Sequence, residues 1–140
     1  MPMRLAPTSI SATPEGQDHR VSHDFHSYIV GAFEHPTRRA DGISLARLHG
    51  EVAKGALDDA GLAPSEVDGL ASFNMENDRE VDVARNVGLG EITFFSQVGY
   101  GGGAGCGVAG QAAMAVATGQ CEVAVAWRAR KRADKTSRPW

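Results

Sequence analysis

The sequence predicts an α/β fold, a βαβαβαβ succession in which a mostly parallel sheet is covered by helices. Three observations predict it. Runs rich in β-branched, aromatic and alanine residues, at Phe25–Phe33, Val67–Phe73, Ile92–Val98 and Cys121–Trp127, alternate with stretches of helical periodicity. The runs are nearly continuous in apolar residues, which is the pattern of strands buried on both faces. The chain between successive runs is long enough for the helical crossovers that parallel neighbours require.

The elements follow in order. Met1–Asp24 is rich in Pro, Ser, Thr, Asp and His and has no period, so residues 1–24 read as a disordered or loosely attached tail. Phe25–Phe33 centres on Tyr28-Ile29-Val30, and His35-Pro36 ends it. Ser44–Ala60 is a helix with Leu45, Leu48, Val52, Ala56 and Leu57 on one stripe, and Gly61 is placed to stop it. Pro64-Ser65-Glu66 is a turn before the strand Val67–Phe73, which Gly69 weakens. Asp78 is placed to cap a second helix through Val87, with Val81, Ala84 and Val87 inward, and Gly88-Leu89-Gly90 stops it. Residues 25–128 thus form the folded unit, and 129–140 a basic tail that reads as the start of a truncated continuation.

The chain is organised around Gly99–Gly119, a glycine-dense loop that becomes a helix of Gly, Ala, Val and Met between two strands. The loop aims a helix N-terminus beyond the end of the strand before it, where amides and dipole suit an anion or a developing oxyanion. The helix has scarcely any charge from Gly101 to Thr118, so it reads as buried all round and in need of cover from a partner or a missing second half.

Composition narrows the function. The 140-residue chain carries a net charge of -3, which argues against nucleic acid as a partner. Its basic cluster is terminal: Arg128, Arg130, Lys131, Arg132, Lys135 and Arg138 read as a solvated tail. No apolar run is long enough to span a membrane and no signal pattern opens the chain, so a cytoplasmic location is expected. Two cysteines, Cys106 and Cys121, make no disulfide framework and read as buried core thiols in a reducing compartment.

Local motifs are weak. Gly105-Cys106-Gly107-Val108-Ala109-Gly110 matches the spelling of the dinucleotide fingerprint, but Gly105 comes several residues after the strand. Arg128 and Arg130 stand where an acidic residue is expected, leaving an NADP-binding module as a lesser alternative. His19, His23 and His26 with Asp24 have spacing open to a metal, yet no helix pattern supports one, so no metal site is expected. Cys106 is a weak nucleophile candidate near a helix start, with no histidine assignable as its base. His49 reads as structural, at the edge of the first helix.

From about Tyr28 to Trp140 the chain resembles the N-terminal half of the thiolase superfamily, most of all the lipid-transfer or sterol-carrier-protein-like thiolases of the acetyl-CoA acetyltransferase type. The matching stretches are Ile29-Val30-Gly31, Ala56-Leu57-Asp58-Asp59-Ala60-Gly61-Leu62 with Glu66-Val67-Asp68-Gly69-Leu70, Val87-Gly88-Leu89, the glycine run at 101–105, and Ala112–Val125. The resemblance implies a thiolase-like half-domain and a homodimer through Ile92–Val98. It places the family's nucleophilic cysteine at Gly102, so acyl-enzyme chemistry is not expected there; a slip of four residues would put Cys106 at that position. Family members without the cysteine include steroid side-chain retro-aldolases, which cleave β-hydroxyacyl-CoA bonds and work with an OB-fold, zinc-ribbon partner.

The resemblance therefore implies a C–C lyase or acyltransferase of lipid or steroid side-chain metabolism. Its substrate is a CoA thioester, with no permanently bound cofactor. Tyr100, Gly101, Gly102 and Gly103 form the substrate-pocket loop, and the proton-transfer groups lie in a second half this chain does not contain, so the chain is expected to be inactive alone. The alternative is a non-catalytic pseudo-thiolase subunit that binds a partner.

Overall fold

Ser44 takes an extended conformation and its side chain accepts the Arg47 amide at 3.2 Å, which starts helix α1, Leu45–Ala60. Gly61 ends it in the left-handed region at φ 67°, where its amide reaches Asp58 O and the next amide reaches Leu57 O. The computed structural model describes residues 2–5, 26–36, 42–73, 79–99, 101 and 103–128. Its strands are β1 (Pro2–Leu5), β2 (Ser27–Ile29), β3 (Gly69–Phe73), β4 (Phe94–Val98) and β5 (Val123–Trp127). Helices α2 (Glu80–Val87) and α3 (Ala104–Ala117) complete the set, with a single 3₁₀ turn at Pro64–Glu66.

The strands form one sheet in the order β2-β1-β5-β3-β4. β3 pairs in parallel with both β4 and β5, as expected for strands joined through helices. β1 pairs antiparallel with β5 and with β2. The α/β class is as the sequence predicts, but the sheet is mixed and has one strand more than the predicted alternation. The extra strand lies in the segment read as a loose tail: Pro2 and Met3 are buried at its very start. Four residues led by a proline leave no period to read, and the strand exists because β5 offers it an edge. The apolar run at 25–33 yields only a three-residue strand, Ser27–Ile29. Arg128 aside, the basic tail lies outside the described residues, as do His19, His23, Asp24 and Asp78.

Helices cover both sides of the sheet. On one face α1 and α2 pack through Ala53, Leu57 and Val83 against Leu70, Val123, Val125 and Trp127. On the other α3 packs through Val108, Ala112, Ala115 and Val116 against Ala71, Phe73 and Ala124. Side-chain alternation along β3 and β5 sends successive residues to the two cores. The stripe of α1 is turned slightly from its predicted phase: Leu48, Ala56 and Leu57 are buried as expected, but His49 and Ala53 take the places of Leu45 and Val52. His49 is therefore fully buried rather than at an edge. In α2, Ala84 and Val87 pack against the core as expected, but Val83 is the buried valine while Val81 is exposed, and the N-cap is Arg79, which makes no side-chain cap. α3 is not buried all round. Gly105, Cys106, Gly110 and Met114 are exposed, so a face without charge meets solvent.

Asp68 ties the parallel strands together at their start. Its carboxylate accepts the amides of Glu122 (2.9 Å) and Val123 (2.9 Å), fixing β5 beside β3. Gly69 weakens the strand pattern for a steric reason: a Cβ there would lie 2.6 Å from Cys121 Sγ.

Two glycines should respond oppositely to alanine. A Cβ on Gly31 would meet Ala56 O at 2.5 Å, whereas one on Gly50, inside α1, meets nothing within 4 Å. Gly31→Ala is expected to cost about 1–3 kcal/mol through overpacking. Gly50→Ala is expected to gain about 0.5–1 kcal/mol from reduced backbone entropy in the unfolded chain. Equilibrium denaturant unfolding checks both.

Candidate functional site at the carboxyl ends of the strands

The carboxyl ends of β3, β4 and β5 carry Phe73, Val98 and Trp127-Arg128, and the first turn of α3 sits over them. Open α/β sheets place ligands at this end of their parallel strands. The approach is close because Gly105 and Gly107, in the first turn of the helix, lack side chains. A Cβ on Gly107 would lie 3.2 Å from Val98 Cγ1, and one on Gly105 would lie 3.8 Å from Arg128 Nη1. Gly101 enters the turn at φ 118°, a conformation that favours glycine, and its carbonyl accepts the Ala104 amide at 3.2 Å. Gly103 is the N-cap, with its carbonyl accepting the Gly107 amide at 2.9 Å.

Two sources of positive potential meet there. The α3 N-terminus contributes the amides of its first turn and the positive end of its dipole. Arg128 contributes a guanidinium stacked over the Phe73 ring, 5.0 Å from its centroid. The arrangement suits an anionic or strongly polarised oxygen at the mouth of the turn. Arg128, read from the sequence as part of a solvated tail or as suited to an NADP 2′-phosphate, is instead placed beside the first turn of α3. Its position directly after an apolar strand was the available signal.

Of the predicted pocket loop, Gly101 and Gly103 frame the turn, and Tyr100 and Gly102 lie outside the described residues. Cys106 was expected to be a buried core thiol; it is exposed on the first turn of α3. The reason is that α3 turns only one face to the sheet, and Cys106 is off that face. Cys121 is buried as expected, and burial first, then the Asp68 charge, pushes its thiol up to about 11. The dinucleotide spelling fails on position: Gly105 to Gly110 lie within α3, not in the turn before it. His26 is exposed, and among the described residues no group of three His, Cys, Asp or Glu side chains converges as metal ligands.

A second polar cluster lies on the other face of the sheet at the same end. The Ser72 hydroxyl and the Gln97 amide both donate to Glu80 Oε1, at 3.2 Å and 2.9 Å. This joins the ends of β3 and β4 to the first residue of α2 and positions that helix.

Known proteins resemble the chain closely over most of its length. It is 53% identical over 100 residues to a steroid side-chain-cleaving aldolase of Thermomonospora curvata, a match covering 71% of this chain and 25% of the relative. It is 50% identical over 101 residues to a 17-hydroxy-3-oxo-4-pregnene-20-carboxyl-CoA lyase of Mycobacterium tuberculosis, covering 72% of this chain and 26% of the relative. A chain of a solved Ltp2-ChsH2(DUF35) aldolase matches with a TM-score of 0.57 and 57% identity, over 59% of this chain and 22% of that one. No protein-family model matches. The chain spans about a quarter of the length of the curated relatives it matches.

The two thiols should separate in reactivity. A thiol reagent at neutral pH is expected to modify Cys106 in the folded chain and Cys121 only after denaturant is added. Because the Cys121 thiol titrates at higher pH folded than unfolded, stability is expected to fall as pH rises from 9.0 through about 11. That fall should be reduced in Cys121→Ala, measured by denaturant unfolding across the range. The chain is thus similar in fold to about a fifth of a solved Ltp2-ChsH2(DUF35) aldolase chain and in sequence to about a quarter of a steroid side-chain-cleaving aldolase.

Proposed function

We propose that this chain is the N-terminal part of a C–C bond lyase that shortens steroid side chains by retro-aldol cleavage of a β-hydroxyacyl-CoA. The observation that carries the reading is its identity of 50% or more, over 100 residues, to two relatives named for that chemistry. The thiolase-type architecture suggested by the residue resemblance belongs to the same reading.

Retro-aldol cleavage needs no covalent intermediate. A base removes the proton of the β-hydroxyl, that oxygen becomes a carbonyl, and the bond to the α-carbon breaks. The electron pair moves into the thioester as an enolate, which is then protonated at carbon. The rate rests on stabilising the thioester oxygen as it becomes negative. The α3 N-terminus and Arg128 supply that stabilisation in this reading, with the glycine turn letting the thioester approach. A glycine at 102, where thiolases carry their nucleophile, is consistent with a route that forms no acyl-enzyme. The CoA thioester is substrate, and no resident cofactor is invoked. The proton-transfer groups belong to the remainder of a full-length protein.

β4 stands at a sheet edge, which supports Ile92–Val98 as the strand that pairs across a homodimer. The Ltp2-ChsH2(DUF35) likeness supports a second protein, of the OB-fold, zinc-ribbon kind, in the working assembly. No helix among the described residues is long and apolar enough to cross a membrane, in keeping with work on CoA esters in the cytoplasm.

The test is an assay on 17-hydroxy-3-oxo-4-pregnene-20-carboxyl-CoA, following ketone formation and release of the short acyl-CoA. The chain alone is expected to be inactive, and the chain mixed with the unmatched part of the Mycobacterium tuberculosis relative is expected to be active. An inactive mixture in which the two parts are shown to associate overturns the reading. Intact-mass measurement after exposure to acetyl-CoA should show no acyl adduct, and Gly102→Cys should not create one, since the sequence offers no histidine assignable as its base.

A further inference from the structure

Glu80 is the first residue of α2 and reaches two strands at once. Its Oε1 accepts the Ser72 hydroxyl of β3 at 3.2 Å and the Gln97 side-chain amide of β4 at 2.9 Å. Ser72 and Gln97 stand opposite each other in the parallel ladder, one pair before its end at Phe73 and Val98. One carboxylate oxygen therefore bridges neighbouring strands close to the point where their ladder stops, and the ends of elements are where structure opens most easily. Ser72 is 1% exposed, so its hydroxyl depends on a protein acceptor rather than on water.

The next residue on each strand turns to the other face of the sheet. Successive side chains of a strand alternate between faces. Ser72 and Gln97 meet α2, whereas Phe73 and Val98 belong to the core that α3 covers. Phe73 carries the Arg128 guanidinium over its ring, 5.0 Å from the centroid. Val98 Cγ1 lies 3.2 Å from the place a Cβ on Gly107 would take, so it limits how far the first turn of α3 comes down. Arg128 and the start of α3 thus rest on the two residues that directly follow the ones Glu80 holds. The ties through Asp68 and Thr93 act at the opposite end of these strands, where Asp68 accepts the Val123 amide and the Thr93 hydroxyl donates to Asp68 O and Gln120 O.

We infer that Glu80 is a positioning residue for the candidate site: by joining Ser72 to Gln97 on one face of the sheet, it sets where Phe73 and Val98 hold Arg128 and the first turn of α3 on the other. The inference rests on the reading of these strand ends as the site that stabilises the thioester oxygen of a lyase, and goes beyond it by assigning what keeps that site in place. Glu80 touches neither Arg128 nor α3. It acts through the strands, because two strand ends bridged side by side cannot splay apart, and splaying would carry the Phe73 ring and Val98 away from each other.

The experiment is nuclear magnetic resonance on the folded chain. It reads the ring-current displacement of the Arg128 side-chain protons by Phe73 and the amide shifts of Gly105 and Gly107. Glu80→Ala is expected to bring the Arg128 displacement most of the way to its value in the unfolded chain and to move both glycine amides. Glu80→Gln keeps an acceptor oxygen at the same reach and is expected to retain the parent signals. Gln97→Ala changes an exposed position, is expected to give an intermediate loss, and decides the matter should Glu80→Ala not fold. Asp82→Ala is the control. It removes the ion pair to Arg79 at 3.1 Å, which tightens the same helix start without touching β3 or β4, and is expected to leave Arg128 as in the parent. Unchanged Arg128 signals in folded Glu80→Ala or Gln97→Ala overturn the inference. So does an equal loss in Asp82→Ala, since Glu80 then merely holds α2. Activity is read separately in the mixture with the unmatched part of the Mycobacterium tuberculosis relative. There Glu80→Ala is expected to lower kcat about tenfold or more at nearly constant KM, and Glu80→Gln to restore it. Full kcat in Glu80→Ala overturns the inference and leaves the lyase standing, whereas an inactive parent mixture overturns the proposed function alone, because the Arg128 signal is read without it.

Discussion

The structure depends on how closely α3 can approach the sheet. Ala112, Ala115 and Val116 rest on Ala71 and Ala124, so short side chains face short side chains across the layer. Close approach brings the helix start down between Val98 and Arg128, where Gly105 and Gly107 leave room for both. A larger residue on either surface would lift the helix, and the first-turn amides would move away from the strand ends. The packing of this core and the placing of the helix start at the strand ends are here the same constraint.

That constraint has a consequence for stability. Small residues bury little apolar area each, so α3 contributes less than a leucine-rich helix of its length would. The opposite core, with Leu57, Leu70, Val123 and Val125, is built of larger side chains. Polar ties such as Asp68 to the start of β5 and Glu80 to Ser72 and Gln97 fix the strands and helices in register. The exposed side of α3 and the edge at β2 present apolar residues to solvent.

The positions of α1, β3, β4, α3 and β5 were legible because their periodicity or continuous apolar character extends over several residues. β1 was not legible: Pro2–Leu5 has no pattern of its own and is a strand only because β5 lies beside it. In α2, Ala84 and Val87 face the core as read, but Val81 was read inward in place of Val83, because three valines in eight residues allow more than one inward face. In the site, the glycine turn was visible as composition, whereas Arg128 was hidden in a run of basic residues. Its placement depends on Phe73, which lies 55 positions earlier in the chain.

By itself the sequence determined the α/β class, the glycine turn opening a small-residue helix, and the likeness to enzymes that cleave acyl-CoA side chains. These are properties of local pattern, and local pattern survives in a piece of a larger protein. Only the tertiary structure decided that Cys106 faces solvent while Cys121 does not, that the sheet is mixed, and that β2 exposes apolar residues on both faces. Each of these depends on which surfaces remain uncovered once distant segments pack, and no local window of the chain contains that information.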